Sequence, residues 1–81
     1  MKYHQLAAID AVARAGGIRA AAKSLGVTQG SVTKALRELE AEAGEALVIR
    51  SAQGATMTEA GRQLSLRAQL IVAQMQAAQG V

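Results

Sequence analysis

Apolar positions in the first half of the chain recur at helical spacing and stop abruptly at glycines. Leu6, Ile9, Val12 and Ala13 mark a first helix that Gly16-Gly17 ends. Small residues, Ala20, Ala21 and Ala22, then fill a second helix from Ile18, with Leu25 closing its apolar face. Gly26 supplies the positive φ that a sharp turn requires, and Val27 is expected to plug the corner before the next helix. Thr28 is a good N-cap, because its hydroxyl can accept a hydrogen bond from an orphan backbone N–H. Val32, Leu36 and Leu39 give the third helix one buried stripe, and Gly44 is placed to end it, so this helix spans about residues 28–43. Helix, tight turn and helix in this order predict a helix-turn-helix, whose second helix commonly enters the DNA major groove.

Beyond Gly44 the periodicity changes. Leu47-Val48-Ile49 is a short strand-forming run, Ser51-Ala52-Gln53-Gly54 reads as a turn, and Ala55-Thr56-Met57 returns as a second strand. A hairpin in that place is a wing, and Arg50 at its edge is positioned to meet a phosphate. The last helix runs from about Glu59 to Gln79. Either Thr58 or Thr56 caps it, and Thr56-Met57-Thr58-Glu59 fits a capping box with Thr56 as the cap. Its apolar residues form two seams rather than one face. Leu64, Ala68, Ile71, Met75 and Ala78 make the first, and Leu66, Leu70, Ala73 and Ala77 the second. Arg67 and Gln74 separate them along one edge and Arg62, Gln69 and Gln76 along the other. One seam can pack on the domain itself. The other requires a partner, and its heptad-like spacing suggests a second helix. The pattern is therefore mainly α: a winged helix-turn-helix of three helices and a two-stranded wing over residues 1–58, followed by a long linker helix for dimerisation over 59–81.

The polar side of the third helix determines what it can meet. At about 100° per residue, the buried stripe leaves Gly30, Thr33, Lys34 and Arg37 facing outward, with Gln29 at the exposed tip and Ser31 on the flank. Gln can bond an adenine edge, Arg or Lys a guanine edge, and a Thr methyl can touch a thymine methyl. No acid interrupts this face before Glu38. The full DNA-facing set comprises Arg19, Thr28, Gln29, Gly30, Ser31, Thr33, Lys34, Arg37, Arg50 and Gln53, and the candidate dimer set comprises Leu64, Leu66, Ala68, Leu70, Ile71, Met75 and Ala78.

Charge sharpens this reading. The net charge of the 81 residues is only +3, but Ala11 to Arg37 holds five basic residues (Arg14, Arg19, Lys23, Lys34 and Arg37) and no acid. Glu38, Glu40, Glu42 and Glu45 then follow. Basic and acidic regions side by side suggest one face for phosphate and another turned away. Acids near a helix C-terminus oppose its dipole, so no local stabilising role is expected of this cluster. With 51% hydrophobic residues, 19 of them alanine among the 81, and Tyr3 the only aromatic, close-packed helices are favoured over a bulky core. A chain this small buries only about 60% of its unfolded surface, which makes association attractive.

Several function classes drop out. The chain has no cysteine, so it has no thiolate metal site or disulfide framework. No signal peptide or membrane-length apolar span is present, which predicts a cytoplasmic protein. The final helix has only two basic residues and no aromatic, unlike a membrane-surface helix. His4, the only histidine, is expected near a mobile terminus and makes a metal site improbable. The serines lack a histidine relay, Gly16-Gly17 lacks the flanking pattern of a nucleotide loop, and Tyr3 alone cannot stack single-stranded bases. No catalytic residue, cofactor, metal or small-molecule ligand is expected within this segment.

Nearly the whole chain resembles the N-terminal DNA-binding domain of the LysR-type transcriptional regulators. The resemblance is carried by the first helix from Leu6, Ala21-Ala22-Lys23-Ser24-Leu25, Val27-Thr28-Gln29 through Ser31-Val32-Thr33, Leu39-Glu40, Gly44, Leu47, Arg50 and Thr58-Glu59-Ala60-Gly61. It implies a winged helix-turn-helix joined to a linker helix through which two chains dimerise, and transcription regulation at an interrupted inverted repeat in double-stranded DNA. Gln29, Thr33, Lys34 and Arg50 carry over as DNA contacts. Three positions depart from the family pattern: Gly30 where Pro is usual, Gly17 where Ser is frequent, and Val48 where an aromatic is usual. Members carry a longer C-terminal inducer-binding domain, so the chain is expected to be the DNA-binding piece of a longer regulator. The rival reading is a winged-helix module for protein association, which calls for a more apolar or acidic outward face on the third helix.

Overall fold

The computed structural model describes residues 1–52 and 54–80. Its elements are α1 (Tyr3–Ala15), α2 (Ile18–Leu25), α3 (Gln29–Ala43), β1 (Val48–Ser51), β2 (Gly54–Met57) and α4 (Glu59–Gln79). α1 is the central element and packs against α2, α3 and α4. Ile9 and Val12 on α1 meet Val32 and Leu39 of α3 and Leu47 of the following loop in a fully buried centre. Ala8, Ala11, Ala21, Ala22 and Ala35 surround them. Small side chains let helix axes approach closely, so the alanines close the core around this branched aliphatic centre.

The helix-turn-helix follows the sequence closely. α2 ends in a Schellman arrangement at Gly26, which has φ 70°: the Val27 N–H donates to the Ala22 carbonyl at 3.0 Å and the Gly26 N–H to that of Lys23 at 3.2 Å. Thr28 caps α3, its Oγ1 accepting from the Ser31 N–H at 3.0 Å. Val32, Leu36 and Leu39 are buried as the spacing predicts, joined by Ala35. The corner itself differs from expectation. Val27 is 46% exposed and Leu25 38%, so neither plugs nor closes the corner. Ala21 and Ala22 are the α2 residues buried in the core instead.

β1 and β2 form an antiparallel pair with Val48 opposite Met57, Ile49 opposite Thr56, Arg50 opposite Ala55 and Ser51 opposite Gly54. Val48 and Met57 lean on the core, whereas Ile49 faces out. Thr56 therefore belongs to the wing and caps nothing. Thr58 is the cap of α4: its Oγ1 accepts from the Gly61 N–H at 3.0 Å and donates to the Ala46 carbonyl at 2.8 Å. The Thr58 N–H also donates to the Leu47 carbonyl at 3.1 Å. These bonds fasten the start of α4 to the loop before the wing.

α4 buries neither predicted seam as a whole. Its buried residues are Gly61, Ser65, Ala68 and Val72, at steps of four, three and four. Leu64 is half-buried against the same core. Ala68, expected in the dimer set, is 0% exposed within the single chain and lies out of a partner's reach. Ile71 and Met75 remain exposed, although a contiguous first seam would have buried them. The reason is steric: small groups at 65 and 68 allow a close approach to α1, Gly61 lies against the Leu47 backbone, and that rotation of the helix carries Val72 inward. Among the described residues no helix is long and apolar enough to cross a membrane.

Candidate nucleic-acid interface

The third helix presents a face with little of its own to bind. Gln29, Gly30, Lys34 and Arg37 are exposed opposite the buried stripe, and Thr33 is half-buried on one flank. Arg19 stands exposed in the first turn of α2. Among the described residues the ion pairs are Met1 ammonium with Glu42, Arg14 with Asp10 and Arg62 with Glu59. Arg19, Lys34, Arg37 and Arg50 enter none of them. The contrast with Arg62 is instructive. Hydrogen bonds from Arg62 and Gln63 hold the Glu59 carboxyl below the usual carboxylate range, so this arginine is already engaged on α4, whereas those around α3 have no acidic partner among the described residues.

Arg50 joins wing to helix. Its Nη2 donates to Thr33 Oγ1 at 2.8 Å across 17 residues of sequence, which orients the guanidinium toward the polar face of α3. The Thr28 hydroxyl, besides capping, donates to Ser31 Oγ at 3.0 Å, so these two side chains are held together at the helix start. Gln29 follows the cap directly and projects from the first position of α3. Arg19 has no hydrogen bond to α3 or the wing among the described residues. Gln53 lies outside the described residues.

The acidic cluster has a structural role that the sequence reading denied it. Glu40 Oε2 accepts from the backbone N–H of Leu47 at 2.8 Å and of Val48 at 3.3 Å. It thereby fixes the chain's exit from α3 and the entry angle of β1, and so the position of Arg50. Glu38 Oε1 accepts from Gln5 Nε2 at 3.2 Å, and Gln5 Oε1 accepts from the Lys2 N–H at 2.9 Å. The terminus is therefore tied to α3. His4, expected near a mobile end, sits in the first turn of α1 beside Lys34 and Ser31. Nothing in the local pattern distinguishes Glu40 from a solvated acid; only its place opposite the chain reversal at Gly44 gives a clue. Among the described residues no three His, Cys, Asp or Glu side chains gather to hold a metal.

Residues 3–62 match the family model described as "Bacterial regulatory helix-turn-helix protein, lysR family". The chain belongs to the LysR family. This LysR-family domain is 39% identical over 74 residues to the HTH-type transcriptional regulator TdcA of Escherichia coli strain K12, covering 91% of the chain and 24% of TdcA. It is 44% identical over 61 residues to the HTH-type transcriptional regulator TcbR of Pseudomonas sp. strain P51, covering 75% of the chain and 21% of TcbR. The chain thus spans about a quarter or less of these relatives. A crystal structure of a CbnR_DBD–DNA complex superposes with a TM-score of 0.87 at 36% identity, over 99% of this chain and 92% of that one. The architecture of the LysR-family domain, four helices with a two-stranded wing, is that of a winged helix-turn-helix.

Gly30, where the family pattern usually has Pro, is in open space: a Cβ built there meets nothing closer than Thr28 Oγ1 at 3.9 Å. Glycine in a helix is less favourable than alanine by about 0.8–1.0 kcal/mol. Gly30→Ala is therefore expected to stabilise the domain by roughly 0.5–1 kcal/mol, read as a rise in the midpoint of urea unfolding at unchanged slope. A lower midpoint would mean that the start of α3 is not helical in solution.

Proposed function

We propose that this LysR-family domain binds double-stranded DNA sequence-specifically, with α3 in the major groove and two chains paired through α4 on an interrupted inverted repeat. The observation that carries this reading is the unpaired polar and basic face of α3, with Arg50 of the wing bonded onto Thr33. Gln29, Thr33 and Lys34 reach base edges, with Arg37 one turn further along. Arg50, Arg19 and, beyond the described residues, Gln53 meet the sugar–phosphate backbone. Thr28 and Ser31 organise the helix start, and Gly30 lets the backbone approach. Residues 1–58 thus serve DNA and 59–81 pairing. The TdcA, TcbR and CbnR likenesses support the same assignment, with the domain acting in the cytoplasm as the DNA-binding part of a transcription regulator and catalysing nothing.

Selection from random duplex pools at two salt concentrations tests it: an enriched inverted repeat and steep salt dependence are expected. On the enriched site, Gln29→Ala should cost ~1–3 kcal/mol of the preference over random duplex. Arg50→Ala should weaken all duplexes alike and reduce the salt slope by about 1. Equal losses on specific and random DNA for Gln29→Ala would remove it from base readout. No enrichment by a folded sample would favour a protein-association module.

A further inference from the structure

A helix in the major groove, which is about 12 Å wide, has a ridge of phosphates along each side. The wing addresses one of them, through Arg50 on the Thr33 flank of α3. The opposite flank is occupied by the first turn of α1. There Lys2, His4, Ser31, Lys34 and Glu38 line one cleft of about 310 Å³.

The placement of Lys2 and His4 is built, not incidental. Gln5 is buried and spans the junction, accepting from the Lys2 N–H at 2.9 Å and donating to Glu38 at 3.2 Å. The Met1 ammonium lies 3.2 Å from Glu42 one turn further along α3. Two acids of α3 thus anchor the terminus through its backbone, its ammonium and Gln5. The side chains of Lys2, His4 and Lys34 remain exposed and outside any ion pair among the described residues. Glu38 is the one acid lining the cleft, and its Oε1 is taken by Gln5.

We propose that Lys2 and His4, beside Lys34 at the base-reading face, form a second phosphate-holding edge that grips the DNA strand opposite the one met by the wing. The two edges then set the depth and tilt of α3 in the groove. This inference rests on the DNA-binding reading and names residues that the motif does not carry. The acids Glu38 and Glu42 act as positioning groups for it, holding these side chains in place without touching DNA.

The test is phosphate-ethylation interference on the selected duplex, with wild type, Arg50→Ala and the double variant Lys2→Ala/His4→Ala. The double variant should lose interference at phosphates on one side of the groove, and Arg50→Ala at those on the other. Removing one or two phosphate contacts should lower affinity roughly tenfold and the salt slope by about 1–2. His4→Arg should do the reverse, binding more tightly with a steeper slope, a gain that misfolding cannot produce. The inference is overturned if the double variant keeps wild-type interference and slope, or if it and Arg50→Ala lose the same phosphates. A wild type without salt-dependent DNA binding would instead overturn the DNA-binding reading.

Discussion

Gly61→Ala is expected to destabilise the domain by about 3 kcal/mol or more, against the helix propensity that favours the change. A Cβ at this position would strike the Leu47 carbonyl oxygen and lie 2.8 Å from its carbon and 3.1 Å from the Leu47 Cα. All three are backbone atoms, so no side-chain rotation can relieve the overlap. α4 would have to retreat from the 46–47 loop. That movement strains the two bonds from Thr58 to the Ala46 and Leu47 carbonyls and lifts Ser65, Ala68 and Val72 from α1. Overpacking a well-filled core typically costs about 1–3 kcal/mol, and here the lost helix docking adds to it. A chain of this size has a total stability on the order of 4–12 kcal/mol, and each kcal/mol moves the melting temperature by about 4–8 °C. A fall of roughly 10–25 °C is therefore expected by circular dichroism. The same substitution at Gly30 has the opposite sign, because only Gly61 has a backbone in the way. A Gly61→Ala protein that melts with the wild type would mean that α4 does not dock this closely.

The two glycines show where a sequence reading succeeds and where it stops. Helix stops at Gly16, Gly26 and Gly44, the Thr28 cap, the stripe of Val32, Leu36 and Leu39, and the hairpin around Ser51–Gly54 were legible because each rests on one local rule. The closure of α4 was not. Its buried line of Gly61, Ser65, Ala68 and Val72 contains two residues that carry no hydrophobic signal, so the eye follows the larger Leu64, Ile71 and Met75 instead. In a core made of proximity, smallness is the signal, and glycine and serine are also common on surfaces. Along α2 likewise it is the small Ala21 and Ala22 that are buried, while the larger Leu25, and Val27 beyond it, stay exposed. On the candidate interface, Gln29, Lys34 and Arg37 were legible from angular position alone. The Arg50–Thr33 bond, the Glu40 clamp on β1 and the approach of Lys2 and His4 to Lys34 join residues far apart in sequence, and only the fold brings them together.

Leu70→Glu is expected to abolish pairing of two chains while leaving the single domain folded. Leu70 is 68% exposed, and Leu66, Ile71 and Met75 of the same helix are 54%, 45% and 40% exposed. Leu70, Ile71, Met75 and Ala78 line one open cleft with Gln74, and Leu66 and Leu70 line another with Gln63 and Arg67. Leu70 belongs to both, so whichever seam meets the partner, this residue is at or beside the contact. A two-fold axis brings the same surface together twice. One substitution therefore places two carboxylates in an apolar interface that water must leave, a cost without compensating partners. Within the monomer the side chain is already largely in water, so the melting temperature at high dilution should change little. Sedimentation equilibrium should then report a monomer for the variant and a dimer for the wild type. Affinity for the inverted repeat should fall by about 10²-fold or more, because the second half-site no longer binds at the high effective concentration that linkage provides. Affinity for a single half-site should stay the same. Leu66→Glu and Ile71→Glu, compared with it, identify which seam lies at the centre, since the substitution nearer the axis is the more severe. A Leu70→Glu protein that remains dimeric on the repeat would move the pairing surface off α4.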